Sequence, residues 1–444
     1  MTSSSATGIE GAVGPRAVIA GRERDYFAGC GYLGLQNHPE LIAVAAAALQ
    51  RYGLGTATSR GGYGEHPVFV ALEEAAARYF GVEAVLNYVT AYLGNTILLQ
   101  GLRGEYDRVF MDDASHFSVR DSVQIAGMPV APFRHLDPDD LAAQLRAQLR
   151  PGERPLVISD GVFPISGEIA PAPGYLQALA NYAGAILCLD DAHATGVLGA
   201  NGQGTAEYWK NRAEEAAPRR PQLIVAGLAE MMSAPFQGGA ASVVSWSSLM
   251  GGPDLVVGGS DAARPSEEQA VLSALGVTGV RLYSAHTLSK ALGCNGGIIA
   301  GDAELIGKLR ANAPAYVAHS PSPLPVAAAA AHALDLTRGV STLRNRLWAN
   351  VARAKAGLRD LGWPLADTPV PIICLGARPG LDLACIQAEL FERDICVAHV
   401  TRYSSTPPGG ALRIAIFATH TEAQIDRLIG EISVLVQGAA SPNR

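Results

Sequence analysis

One lysine of this chain stands in a setting that suits covalent chemistry. Lys290 lies in Ser284-Ala-His-Thr-Leu-Ser-Lys290-Ala-Leu-Gly-Cys-Asn-Gly-Gly297, directly after an apolar, strand-like run. The other lysines, Lys210, Lys308 and Lys355, have arginine or glutamate close by. An amine without acidic neighbours can lose its proton and form a Schiff base with a cofactor aldehyde. Taken by itself, an ordinary strand-to-helix turn explains Lys290 better, so the decision depends on other segments.

A second group of reactive side chains follows a short apolar run. The segment Ile186-Leu-Cys-Leu-Asp190-Asp191-Ala-His193 ends in two carboxylates and an imidazole. A carboxylate there can keep the ring nitrogen of a pyridinium protonated, which makes the ring an electron sink. His193 could donate a hydrogen bond to the phenolate oxygen of such a ring. A capping aspartate beside a core histidine is the alternative.

Two further turns could also bind a cofactor. In Val89-Thr-Ala91-Tyr92-Leu-Gly-Asn95 the backbone amides are predicted to begin a helix, which favours a phosphate. The chain lacks the glycine-rich patterns of nucleotide triphosphate and dinucleotide sites at this turn. His116 follows another apolar strand and could stack on a flat ring or transfer a proton. It could equally be the first turn of a helix that Ser115 or Asp113 caps.

These segments belong to an alternation of strands and helices. Apolar runs predict strands at 84–89, 108–111, 130–133, 156–159, 186–189, 281–284 and 297–300, with helices between most of them. The third run contains proline, which places it at an edge of the sheet. Continuous apolar strands at this spacing predict an α/β fold with a mostly parallel sheet, whose ligands bind at the carboxyl ends of the strands.

The flanking regions suggest a division into three parts. Residues 1–60 are predicted to be an N-terminal arm and segment, of which about the first 22 form a flexible or docking arm. Residues 61–305 are predicted to form the large α/β domain, and residues 306–444 a smaller α+β domain. Within the large domain, residues 207–278 interrupt the alternation and are predicted to be an insertion that serves as a lid or an interface element.

Composition limits the class of protein. The chain has 444 residues, a net charge of -7 and 17% charged residues, so it has no basic footprint for nucleic acid or an anionic membrane. Six scattered cysteines without a Cys-x-x-Cys pair argue against a metal site or a disulfide framework. No signal peptide or bilayer-spanning run is recognisable. A cytoplasmic protein without a metal is therefore expected.

Taken together, these segments resemble the fold type I pyridoxal phosphate enzymes, and most closely the α-oxoamine synthase family. The segments that carry the resemblance are Thr287-Leu-Ser-Lys290-Ala-Leu-Gly-Cys-Asn-Gly-Gly, Leu189-Asp-Asp-Ala-His193-Ala-Thr-Gly-Val-Leu-Gly, Tyr32-Leu-Gly-Leu, Ser59-Arg60 with Gly64, Asp160-Gly-Val-Phe163 with Gly167, and Leu412-Arg413-Ile. They occur in family order over nearly the whole chain. The resemblance implies a seven-stranded, mostly parallel sheet, a smaller C-terminal domain and a homodimer.

The resemblance also implies roles for individual residues. Lys290 would bind the aldehyde of pyridoxal 5'-phosphate and Asp190 its ring nitrogen, while His193 would contact the ring oxygen and His116 would stack on the ring. Thr287 and the amides of Ala91 and Tyr92 would hold the phosphate. The substrate-binding residues would be Arg413, as a bidentate clamp on the amino-acid carboxylate, and Arg60.

The implied activity is the condensation of an amino acid with an acyl thioester, such as an acyl-CoA, with loss of CO2. Two departures concern the substrate side: Pro164 replaces the usual serine, and Cys30-Gly31 replaces a polar pair that contains asparagine. Transamination, or decarboxylation and carbon–carbon bond formation without CoA, are therefore alternative reactions. A non-catalytic scaffold that binds pyridoxal phosphate is a third possibility.

Overall fold

The N-terminal residues form strands where the sequence predicts a flexible or docking arm. The computed structural model describes residues 8–216, 267–274, 276–339 and 341–440, and most of the predicted insertion 207–278 lies outside them. Strands β1 (Ile9–Glu10), β2 (Arg16–Ile19) and β3 (Arg22–Tyr26) are antiparallel neighbours, and β3 also pairs with Ile395–Cys396 near the C-terminus. Ala17 and Ile19 are buried against Cys396, and this burial explains why the segment is docked on its own chain.

Seven strands of the described ranges build the central sheet. They are β4 (Ala84–Tyr88), β5 (Arg108–Asp112), β6 (Val130–Phe133), β7 (Pro155–Asp160), β8 (Ile186–Asp190), β9 (Arg281–Thr287) and β10 (Gly297–Gly301), in the order β4-β10-β9-β8-β7-β5-β6. Only β10 runs antiparallel to its neighbours. The proline-containing strand β6 lies at an edge, as predicted. The mostly parallel α/β sheet is confirmed.

Helices accompany these strands in the order that the sequence predicts. Their bounds are α1 (Pro39–Tyr52), α2 (Pro67–Phe80), α3 (Gly94–Gly101), α4 (Phe117–Ala126), α5 (Pro138–Gln148), α6 (Ala172–Leu179), α7 (Thr205–Ala216), α8 (Glu267–Ala274), α9 (Ala303–Asn312) and α10 (Pro314–Val317). The strands between them are mostly buried, except for the edge strand β6, in which exposed and buried residues alternate. The interior of the sheet is therefore covered on both faces. The polar residues at the strand ends, among them Asp160 and Asp190, are also buried and meet at one edge of the sheet.

A second, three-stranded sheet lies in the C-terminal part. Its strands β11 (Ile372–Gly376), β13 (Ala398–Val400) and β14 (Ala411–Ala415) are antiparallel, with β14 in the centre, and β12 (Ile395–Cys396) is the partner of β3. The helices of this part are α11 (Leu324–Thr337), α12 (Thr342–Asp360), α13 (Leu383–Glu392) and α14 (Glu422–Ala440). The alanine-rich α11 packs on both α1 and α2. No helix in the described ranges is long and apolar enough to cross a membrane.

Candidate active site

Two buried carboxylates end neighbouring strands of the central sheet. Asp190 is the last residue of β8 and lies opposite Asp160, the last residue of β7. Asp190 Oδ2 accepts a 2.7 Å hydrogen bond from Asn95 Nδ2, and Oδ1 accepts one from the Ala192 amide at 3.1 Å. Ser118 Oγ lies 3.4 Å from Oδ2, at the limit of a hydrogen bond. Asp190 is therefore fixed by neutral donors.

Asp160 is suited to stay protonated beside Asp190. Burial, and then the negative charge of Asp190, raise the pKa of Asp160 well above its ordinary value. Its Oδ2 accepts a hydrogen bond from the His116 amide at 2.8 Å. One neutral and one charged carboxyl group at this edge avoid the repulsion between two buried negative charges.

His116 lies at the N-terminus of α4, in the turn that follows β5. Its Nδ1 accepts a 3.1 Å hydrogen bond from the Ser118 amide and lies 2.7 Å from Ser118 Oγ. Its Nε2 lies 2.7 Å from the hydroxyl of Tyr403, which belongs to the C-terminal part. Burial lowers the pKa of His116 and favours the neutral ring. The alternative that Ser115 or Asp113 caps α4 is wrong, because His116 itself is the N-cap residue.

His193 is linked to Arg413 through Tyr32. The Tyr32 hydroxyl lies 2.7 Å from His193 Nδ1 and accepts a hydrogen bond from Arg413 Nη2 at 3.3 Å. The guanidinium can only donate, so the Tyr32 oxygen accepts from Arg413; with the hydroxyl proton of Tyr32 directed to Nδ1, a neutral His193 would carry its own proton on Nε2. Burial, and then the charge of Lys290, lower the pKa of His193 well below its ordinary value. His193 is a neutral donor at this site.

Lys290 follows β9 and is only partly exposed. Burial lowers its pKa, while the negative charge of Asp190 opposes that change. No hydrogen bond or ion pair joins its amine to another residue of the described ranges. Such an amine reaches the unprotonated, nucleophilic state more readily than a solvated lysine does.

Thr287 and the turn after β4 lie at the same end of the sheet. Gly297 of β10 is paired with Thr287 on one side and with Tyr88 on the other. A Cβ at Gly297 would come within 2.3 Å of the Tyr88 ring, so only glycine lets these strands pack so closely. Ala91 and Tyr92 begin the helical turn that continues into α3, where N–H groups have no acceptor within the turn. This arrangement could hold a phosphate.

Arg413 is a buried cation bound only by neutral groups. It lies in β14 and is 6% exposed. Its Nε donates to the carbonyl oxygen of Pro164 at 2.7 Å, and its Nη1 donates to that of Gly29 at 3.2 Å. Its Nη2 lies 3.4 Å from Cys30 Sγ. Within the described ranges no carboxylate pairs with Arg413, so the site has one uncompensated positive charge that suits an anionic ligand.

Arg60 is in a different environment. Its guanidinium donates to Glu65 at 2.7 Å and to Glu73 at 3.1 Å. No hydrogen bond or ion pair of the described residues joins it to Lys290 or Arg413. The structure therefore brings the other predicted site residues to one edge of the sheet but does not join Arg60 to them. The role of Arg60 in substrate binding stays a prediction.

Sequence reasoning misses several residues that the structure adds to this edge. Asn95 and Ser118 bind Asp190, and Tyr32 binds His193, although none of them was predicted as a site residue. The position of Asp160 at the end of the strand before β8 was a usable signal. The contact with Tyr403 is between residues 287 positions apart, and no local pattern indicates it.

The donor set fits pyridoxal 5'-phosphate. It offers an amine for the aldehyde, a carboxylate for the ring nitrogen, a neutral N–H donor for the ring oxygen and helix-terminal amides for the phosphate. Asn95 Oδ1 is buried without a hydrogen-bond partner among the described residues, which leaves acceptor capacity beside Asp190. The fold and this set of residues define the class of fold type I pyridoxal phosphate enzymes.

Comparison with known proteins identifies the family. The model of the family "Aminotransferase class I and II" matches residues 30–249 and 254–432. A putative 8-amino-7-oxononanoate synthase of Desulforudis audaxviator is 31% identical over 96% of this chain and 93% of that protein. An 8-amino-7-oxononanoate synthase of Pseudomonas aeruginosa is 32% identical over 95% of this chain and 88% of that protein. The chain belongs to the aminotransferase class I and II family and, within it, to the α-oxoamine synthases, which are pyridoxal phosphate-dependent transferases.

Solved structures agree with this fold. A serine palmitoyltransferase from S. paucimobilis with bound pyridoxal phosphate and myriocin superimposes with a TM-score of 0.77 at 23% identity, over 99% of this chain and 94% of that one. The 8-amino-7-oxononanoate synthase of Francisella tularensis gives a TM-score of 0.65 at 18% identity, over 93% and 98% of the two chains. At these identities the likeness concerns the fold alone.

Proposed function

We propose that this protein condenses an α-amino acid with an acyl thioester, releasing CO2 and the free thiol and forming an α-amino ketone. Bound pyridoxal phosphate supplies an aldehyde that captures amines and a ring that withdraws electrons from the captured carbon. The residues of the chain then have four tasks. They hold the cofactor, orient the amino acid, transfer protons and keep the ring nitrogen of the cofactor protonated.

Lys290 and Asp190 hold the reactive parts of the cofactor. Burial favours the neutral amine of Lys290, which can bind the aldehyde and be exchanged for the amino group of a substrate. Asp190 keeps the ring nitrogen protonated, and Asn95 fixes the carboxylate for this task through its 2.7 Å hydrogen bond. Asp160, with its raised pKa, does not compete for that position.

His193 and His116 take up the two remaining contacts with the ring. His193 donates its Nε2 proton to the ring oxygen, because Tyr32 occupies Nδ1. His116 stacks on the ring and, together with the released amine of Lys290, moves protons to and from the reacting carbon. Thr287 and the amides of Ala91 and Tyr92 bind the phosphate.

Arg413 orients the amino acid, and it is the observation that supports the proposal best. A buried guanidinium without a carboxylate partner in the described ranges is costly unless a ligand supplies the anion. The carboxylate of an amino acid fits that requirement in charge and in shape. Held there, it is fixed beside the cofactor ring and can leave as CO2 once the acyl group has been transferred.

The names of the relatives suggest the first substrates to test. Disconnecting 8-amino-7-oxononanoate at the bond between the ketone and the amine-bearing carbon gives alanine and a seven-carbon acyl thioester that ends in a carboxylate. Because Pro164 and Cys30 surround Arg413 at the amino-acid end, the panel should also contain glycine and serine. As part of the same proposal the enzyme is cytoplasmic and is active as a homodimer; sedimentation of the purified protein would test the homodimer.

The decisive assay measures thiol release and CO2 release together. The holoenzyme is incubated with each amino acid and each acyl-CoA, alone and paired. We expect one thiol and one CO2 for each α-amino ketone, and neither product from a single substrate. Formation of pyridoxamine phosphate and a keto acid would favour transamination instead, and CO2 without acyl-CoA would favour decarboxylation. A holoenzyme that leaves every pair unchanged would support the scaffold alternative.

A further inference from the structure

A loop of the C-terminal sheet reaches the predicted stacking residue of the large sheet. The loop connects β13 to β14, the strand that carries Arg413, and Tyr403 lies near its start. Two hydrogen bonds of 3.2 Å hold the local turn, one from the Tyr403 amide to Thr406 Oγ1 and one from the Thr406 amide to the Tyr403 carbonyl. Tyr403 is thus presented from a defined turn.

The side chain of Tyr403 contacts His116 in two ways. Its hydroxyl lies 2.7 Å from His116 Nε2, and the two ring centroids are 5.6 Å apart. The ring of Phe117 completes the contact from the other side, edge-on to Tyr403 at 5.2 Å. Because Tyr403 is still 38% exposed, these contacts are not a by-product of burial in a core.

The hydrogen bonds assign the proton of this pair. His116 Nδ1 accepts a hydrogen bond from the Ser118 amide at 3.1 Å and lies 2.7 Å from Ser118 Oγ. The proton of the neutral ring is therefore on Nε2 and is donated to the oxygen of Tyr403. The hydroxyl proton of Tyr403 is left free to donate elsewhere.

We infer that Tyr403 is a positioning residue for His116: its hydroxyl anchors Nε2 while Ser118 anchors Nδ1, so that the imidazole plane is fixed at both ends. Arg413 and Tyr403 are on the same hairpin, which sets the plane of His116 relative to the group that orients the amino acid. Without Tyr403 the ring keeps one anchor and can tilt about it. The tilt weakens its stacking on the cofactor ring.

This inference rests on the proposed role of His116 at the cofactor, but it does not depend on which acyl donor is used. The test is a double-mutant cycle with Tyr403→Phe and His116→Gln, measured as the dissociation constant of pyridoxal phosphate and as the circular dichroism of the bound cofactor. Tyr182→Phe is the matched control, since its hydroxyl makes no hydrogen bond among the described residues.

We expect Tyr403→Phe to weaken cofactor binding about 3- to 10-fold, the range for one lost hydrogen bond, and to reduce the dichroism signal. In the His116→Gln background the same change should have no further effect, and the control should match the wild type. With substrates, kcat should fall about 3- to 10-fold and KM should stay within about 2-fold.

Two results would overturn the inference in different ways. Additive effects of the two substitutions, or an unchanged dissociation constant in Tyr403→Phe, would show that Tyr403 does not act through His116. If His116→Gln itself leaves cofactor binding and dichroism unchanged, the role of His116 in the proposed function fails, and the inference fails with it.

Discussion

Arg413 donates through Nε to the backbone carbonyl oxygen of Pro164 at 2.7 Å. Pro164 stands where the family usually has serine, and Cys30, the other substrate-side departure, lies 3.4 Å from the same guanidinium. Both departures therefore meet at Arg413, whereas Lys290 and Asp190, the predicted cofactor ligands, match the family pattern. These two substrate-side departures therefore lie at the residue that is proposed to bind the amino-acid carboxylate.

Charge at position 30 should control amino-acid binding. Cys30→Asp would place a carboxylate beside Arg413 Nη2 and occupy the cation, so we expect KM for the amino acid to rise roughly 10- to 100-fold. Cys30→Ser is the neutral control and should stay within about 3-fold. Steady-state kinetics at a saturating acyl thioester measure both. Equal KM values for the two variants would mean that Arg413 does not bind the carboxylate.

The Asp190–Asn95 pair should decide how tightly the cofactor ring is held. Asp190→Asn removes the charge that keeps the ring nitrogen protonated, and we expect at least about 100-fold lower activity. Asn95→Ala removes one charge-assisted hydrogen bond and should weaken pyridoxal phosphate binding roughly 10-fold.

The matched control for Asn95→Ala is Asn350→Ala. Asn350 is another buried asparagine, which donates to two carbonyl oxygens in the C-terminal part. That control should lower the melting temperature and leave cofactor affinity unchanged; equal loss of affinity in Asn95→Ala and Asn350→Ala would refute the assignment.

The buried Lys355 should make the stability of the fold depend on alkaline pH. Burial, and then the charge of Arg359, lower the pKa of Lys355 to about 8, against about 10.4 in an unfolded chain. Between these values the unfolded chain holds more protons than the folded one, so the free energy of unfolding rises with pH. At pH 7 the buried charge costs roughly 3 kcal/mol, partly offset by its hydrogen bonds to Thr368.

Lys355→Met should therefore raise the free energy of unfolding at pH 7 by about 1–2 kcal/mol. The gain should shrink between pH 8 and pH 10, since the wild type loses its penalty there. Urea unfolding at several pH values measures the difference. A constant difference across this range would show that Lys355 titrates as an ordinary surface lysine does.

The strands of the central sheet could be predicted because apolar runs and turn residues are local signals. Their register could not, and it is the register that places Asp160 opposite Asp190. Predicted strands 186–189 and 156–159 each stop one residue short of these carboxylates. A polar residue at a strand end satisfies either a strand or a turn pattern, and only pairing with the neighbouring strand decides between them.

In the site, too, local patterns predict residues but not the long-range contacts between them. Lys290, Asp190 and His193 were predicted from motifs, because each follows directly on a recognisable strand. Tyr403 could not be predicted, since its contact with His116 depends on how the C-terminal sheet is placed over the large one. Arg60 is the opposite case, because a family motif predicts it as a site residue and the structure does not join it to the site. Its guanidinium donates hydrogen bonds to Glu65 and Glu73 instead.

The most direct test of the account is to locate the cofactor on the chain. The chain has four lysines, Lys210, Lys290, Lys308 and Lys355, so the outcome is unambiguous. Holoenzyme is reduced with borohydride, digested with trypsin and analysed by mass spectrometry. Because trypsin does not cleave after a modified lysine, we expect the reduced cofactor on a peptide that spans residues 282–308, with the modification on Lys290, and no such peptide from Lys290→Ala. Cofactor attached to another lysine, or to none, would contradict the account.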